Sequence, residues 1–152
     1  MHIKIGLLIY FLLCFSITTR AAPFKDDGYR TITDYATGFI WQKNDDGVTR
    51  FHGVALFYCV NLSLGGINDW QMPEIKELSS LVDYRDHDIA ISRFAFSDTN
   101  GASYWSVSRA VKNSTRKDIW VGDFQSGEVK AVNGTVNIGN RHHTRCVNKL
   151  KN

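Results

Sequence analysis

Two cysteines far apart in the chain constrain its fold more than any other feature. The sequence has three: Cys14 lies in an apolar N-terminal run, and Cys59 and Cys146 are left for the remainder. In an exported protein such a pair reads as one disulfide, against the alternative of two independent free thiols. The bridge would close a loop of about 88 residues, worth roughly 4.6 kcal/mol on a chain-entropy scale, with 2–4 kcal/mol the safer figure. It would fasten an early helix to the end of the chain, which favours a single closed domain.

Export follows from the first residues. Lys4 gives a positive start, Ile5 to Ile17 is apolar, and Thr19 and Ala21 place small residues at a cleavage site. This is the pattern of a secretory signal peptide over residues 1–21, leaving residues 22–152 as one domain. The apolar core, about 13 residues, is short for a membrane span, so none is expected after cleavage. Phe11, Leu12 and Leu13 are bulky where a lipoprotein signal carries small residues before its cysteine. The expected location is the periplasm, the cell surface or the medium.

Removing Lys4 and Arg20 from 18 basic residues leaves 16 against 15 acidic ones. A net charge near +1 gives no reason to expect a nucleic-acid partner.

The pattern of apolar residues predicts an α+β domain. Tyr29 to Asp34 alternates as an edge strand does, and Phe39 to Gln42 reads as a short buried strand. Lys43 to Thr49 is a loop. From Arg50 to Leu62, residues Phe51, Val54, Ala55, Tyr58, Cys59 and Leu62 form one helical stripe. Gly65-Gly66 breaks this unit, Trp70 supplies a large anchor, and Pro73 opens a second helix carrying Ile75, Leu78 and Val82. The second half reads as strands: Ser103 to Ser108, a hairpin of Ile119 to Phe124 with Glu128 to Val132, and Thr144 to Val147 with Cys146. The expected picture is two helices on a curled antiparallel sheet drawn mostly from the second half.

Several of these motifs, in this order, resemble the Lcl C-terminal domain family. They are Gly38-Phe39-Ile40-Trp41, Tyr58-Cys59, Leu64-Gly65-Gly66, Asp69-Trp70-Gln71-Met72-Pro73 and Glu77-Leu78, followed by Tyr104-Trp105-Ser106, Asp123-Phe124 and Arg145-Cys146-Val147. The resemblance implies a C-type lectin-like fold, a bacterial extracellular setting and, for the family's namesake, binding to sulfated glycosaminoglycans. Gln71 stands where the family usually has Arg, and Glu74 replaces the usual Thr or Asn, weakening a capping box with Glu77. The namesake's collagen-like repeat is missing.

For a binding site, the densest basic stretch is Arg141, His142, His143 and Arg145, extended by Lys112, Arg116 and Lys117 if the fold gathers them. Arginine offers paired donors to sulfate or carboxylate, and histidine adds charge as pH falls. The plainer reading is a polar loop before the last strand. Asp83, Asp86, His87 and Asp88 carry oxygen and nitrogen ligands but lack the spread of a calcium site, so a solvated acidic loop is favoured and no metal is expected. Trp41, Trp70, Trp105 and Trp120 suit core packing better than sugar stacking. Neither a nucleophile elbow, a zinc-protease helix nor a phosphate loop is present, so neither catalysis nor a cofactor is expected. The sequence thus points to an exported module that binds sulfated or anionic polysaccharide at the cell surface. The competing reading is a structural or assembly domain of an envelope or adhesin complex that binds another surface protein.

Overall fold

The computed structural model describes residues 23–85, 89–99, 101–110, 117–135 and 139–149. The described strands form two antiparallel sheets, where the sequence suggested one. In the first sheet β1 (Phe24–Asp26), β2 (Thr31–Asp34), β3 (Phe39–Gln42) and β7 (Val147–Lys149) lie in that order. The second is a meander of β4 (Ser103–Arg109), β5 (Asp118–Asp123) and β6 (Glu128–Asn133). Between them come α1 (His52–Val60) and the short α2 (Ile75–Ser79).

Side-chain alternation along the strands divides the interior into two cores. Trp41, Tyr104 and Val147 enter one, with Ile32, Leu78, Leu81, Ile91, Phe96 and Phe124. Their neighbours Ile40, Trp105 and Cys146 enter or pack against the other, with Ala55, Cys59, Trp70, Met72, Ile119 and Val121. Strands β3 and β4 and the segment entering β7 therefore act as a wall with a core on each side.

The Cys59–Cys146 disulfide lies in the second core, both residues fully buried and their Cα atoms 5.5 Å apart. Trp70 joins the same core; its indole N–H donates to the carbonyls of Ile67 (3.0 Å) and Leu64 (3.3 Å) across the Gly65-Gly66 turn. The turn needs a glycine at 65. Its φ is +61°, and a Cβ there would meet Thr31 Cγ2 at 2.8 Å.

Several local expectations change. β2 is an interior strand with all four residues buried, and not an edge strand, because Phe24 to Asp26 pairs along its outer side. On α1, Ala55 and Cys59 are buried, but Val54 is 48% exposed and so leaves the core stripe. Pro73 precedes the N-cap instead of opening α2, and the helix ends at Ser79, before Val82. The Glu77 carboxylate accepts the Glu74 N–H at 2.9 Å, so that side of the capping box forms despite Glu74. Glu74 and Ile75 dock on β4, the Ile75 N–H donating to Ser108 Oγ at 3.0 Å. The last strand starts one residue beyond Cys146. Trp41, Trp70 and Trp105 are core residues as expected, whereas Trp120 is partly exposed on β5.

The bridge sets the relation of α1 to β7, so replacing Cys59 and Cys146 together with Ala should lower the unfolding free energy by about 2–5 kcal/mol. Urea denaturation measures this. Equal midpoints for the variant and the oxidised wild type would contradict it.

Candidate functional site

The basic stretch before β7 alternates in and out, and this separates its members. Arg145 and Val147 share a side, and that side faces the first core. Arg145 is 0% exposed, so it is removed from any surface patch. Its Nη1 donates to the carbonyls of Gln42 (2.6 Å) and Lys43, and its Nη2 to Thr99 Oγ1 (2.6 Å). The guanidinium lies 4.7 Å from the Phe96 ring centre and 5.6 Å from that of Tyr104. Burial lowers its pKa from the ordinary arginine value, opposed by Tyr104 and Asp45. The group is a structural cation that holds the end of β3.

Asp45 supplies the balancing charge. The Tyr104 hydroxyl donates to Asp45 Oδ2, and His143 Nδ1 lies 3.9 Å from the same oxygen. Burial raises the Tyr104 pKa well above that of a free phenol, keeping it a neutral donor between Arg145 and Asp45.

His142 is also drawn inward. Its backbone exchanges two hydrogen bonds with Arg50, at 2.9 and 3.1 Å. Its ring meets the edge of Trp105 at 4.7 Å, opposite His52 at 5.2 Å. Trp105 in turn donates its indole N–H to the Arg50 carbonyl at 2.7 Å. His52 Nε2 bonds the Ser106 carbonyl at 3.0 Å, while His142 Nε2 is buried with no partner among the described residues. Burial lowers both histidine pKa values; for His142 the neighbouring His143 adds to the effect, and for His52 Arg109 does. His142 therefore carries less positive charge than a free histidine would.

Arg141 remains exposed, its guanidinium 4.8 Å from the Phe51 ring and one amino group donating to Thr49 O at 2.8 Å. Lys117 is exposed too, and Lys112 and Arg116 lie outside the described residues. Backbone bonds link the segments that carry the remaining cations. Lys117 O accepts the Gly134 N–H (3.0 Å), and Asn133 O accepts that of Asn140, next to Arg141. Ala110 pairs with Asp118, so the exposed Arg109 sits at the same end of the β4–β5–β6 sheet. Arg109 was missed in the sequence reading. Its signal was its place as the last residue of an alternating strand, where a side chain faces out.

The acidic loop is otherwise occupied. Asp83 pairs with Arg85 at 2.8 Å, which lowers its pKa to about 2. Asp86, His87 and Asp88 lie outside the described residues. Among the described residues, no three His, Cys, Asp or Glu side chains are grouped to hold a metal ion, and no helix is long and apolar enough to cross a membrane.

Two predictions follow from this geometry. Arg145→Ala strands buried carbonyls and a hydroxyl, each costing about 1–3 kcal/mol, and should lower stability by at least 3 kcal/mol in chemical denaturation. A loss under 1 kcal/mol would contradict the buried role. For pH, the folded state resists protonating His52 and His142, whereas the unfolded chain protonates them near 6.5. Their stabilisation is complete above that pH and is lost as pH falls from 6.5 through the lowered folded values. The melting temperature should thus be level from pH 8 to 7 and decline from 6.5 to 5, less steeply in His142→Leu. A flat profile would refute this.

The family model described as the Lcl C-terminal domain matches residues 30–148. Among curated proteins, none matches the chain. The matched span covers both sheets except β1 and the last residue of β7, both helices and both bridged cysteines. The chain belongs to the Lcl C-terminal domain family.

Proposed function

We propose that this is an exported, non-catalytic binding module of the bacterial cell surface, akin in fold to C-type lectin-like domains, that recognises sulfated or otherwise anionic polysaccharide. The observation that carries the reading is the exposure of Arg109 and Lys117 at one end of the β4–β5 pair, with Arg141 exposed beside Asn140, which bonds the neighbouring end of β6. Family membership supports the ligand class. Arg141 spends one donor on Thr49 O and keeps others for a ligand, since a guanidinium carries five.

Each contact with a sulfate would be an exposed ion pair worth under about 1 kcal/mol. Binding therefore needs several at once, which suits a polyanion better than a monovalent ion. Screening over about 8 Å at physiological ionic strength makes it salt-sensitive. His142, whose protonation burial disfavours, is left out of the cluster.

A specific feature favours the protein-binding alternative: Val54, Phe57 and Val60 on α1 are 48%, 70% and 64% exposed. That face would serve an assembly role.

Heparin chromatography tests the main reading. The variant R109A/K117A/R141A should elute at clearly lower salt than wild type, with an unchanged melting temperature. If both flow through at low salt, or both elute at the same salt, the polysaccharide reading fails.

A further inference from the structure

The β1–β2 turn holds an arginine in an unusual place. Arg30 has φ +63° and is the one non-glycine residue with positive φ among those described. Glycine adopts this conformation without penalty, whereas a side chain with a Cβ is strained there. Strain of this kind persists where the side chain has a use.

The Arg30 side chain has no structural use on view. It is exposed, and among the described residues its guanidinium makes neither a hydrogen bond nor an ion pair. The nearby acids are engaged elsewhere. Asp26 takes Lys43, and Asp27 accepts the hydroxyls of Thr33 (2.7 Å) and Thr31 (3.4 Å) with Lys25 at 3.8 Å. Arg30 is thus a local cation without a counter-charge. Next to it Tyr29 is 73% exposed, an aromatic face turned to solvent.

Tyr29 and Arg30 line an open groove of about 460 Å³ with Gly65 and Gly66. A second groove, about 570 Å³, begins at Gly66 and runs past Asn68 and Asp69 to Asn148 and Lys149. The two adjoin at Gly66, which carries no side chain to stand between them. The ends differ in charge. Arg30 has no counter-charge at one, whereas at the other Lys149 lies 3.9 Å from Glu77.

We propose that this trough is a second binding site, for an oligosaccharide bearing a carboxylate on one sugar and neutral sugars beyond it. Arg30 holds the carboxylate through paired N–H donors, and Tyr29 packs against the face of the acidic sugar. Asn68 and Lys149 meet hydroxyl groups on the neutral part, where Lys149 is already paired with Glu77. The site shares no residue with the Arg109, Lys117 and Arg141 cluster and does not depend on it.

Arg30→Gly suits the test, because glycine fits φ +63° and the fold is kept. The probe is cellobiouronic acid, glucuronate linked to glucose, with cellobiose as the neutral control, both titrated against the ¹⁵N-labelled domain. Cellobiouronic acid should shift the Gly65 and Gly66 amide signals, with cellobiose at least tenfold weaker. R30G should bind at least tenfold more weakly while melting at or above the wild-type temperature, and Y29A should also weaken binding. R109A/K117A/R141A should bind as wild type does. The proposal is overturned if the Gly65 and Gly66 signals do not move, if R30G or Y29A binds normally, if cellobiose binds equally well, or if the triple variant loses binding. A blocked glutamate dipeptide that moves the same signals as strongly would overturn the assignment to sugar.

Discussion

A guanidinium with no solvent exposure must have its lost hydration replaced from the protein, and Arg145 arranges much of this fold around that requirement. Removing such an ion from water costs several kcal/mol, which pays off only where donors and charge are well matched. Here the match draws on distant parts of the chain: the end of β3 through Gln42 and Lys43, the irregular segment through Thr99 and Phe96, and β4 through Tyr104. Asp45 closes the set from the loop after β3. Segments distant in the sequence are thereby held to one point. Among the described residues the Arg145 Nε–H has no partner, so the position has little tolerance for a second loss.

The disulfide sits on the next residue and faces the opposite way. Arg145 serves the first core, Cys146 the second, and Val147 the first again. Gln42 ties the two together: its N–H donates to Cys146 O at 3.0 Å, and its side-chain carbonyl accepts the Cys146 N–H at 3.1 Å. Its amide then donates to the Tyr58 hydroxyl on α1 at 2.8 Å. A period-2 segment thus couples a covalent link on one side of the wall to an ionic one on the other. Displacing either would disturb the register on which its neighbour depends.

The sequence made the covalent frame readable and left the ionic one hidden. Cys59 and Cys146 could be paired by arithmetic, Trp70 could be placed by the glycines before it, and the α1 helix by its periodicity. Val54 was misplaced because the stripe on α1 is narrower than its apolar residues suggest; Phe57 and Val60 are exposed as well. β1 was missed because Phe24-Lys25-Asp26 pairs only through its backbone along β2, and side-chain patterning does not report that. Arg145 was misread by counting local charge. The strand assignment itself held the correction, since a residue two before a core valine shares its face. The positive φ of Arg30 has no sequence signature, because it arises from how the β1–β2 turn closes.

These outcomes change what a basic stretch in a strand is worth. Four cationic or titratable residues within five positions look like a patch, yet one strand cannot present all of them to the same side. Arg145 is spent on the fold and His142 is held against Trp105, where burial disfavours its protonation, which leaves Arg141 as the stretch's exposed, permanently charged member. The charge that remains outside is assembled from separate strands, with Arg109 from β4, Lys117 at the entry to β5 and Arg141 after the β6 turn. Cations set on different segments are spaced by the sheet and not by the chain. A ligand that satisfies them must span that spacing with repeated negative groups, so a polymer is favoured over a small ion by geometry before any single contact is considered.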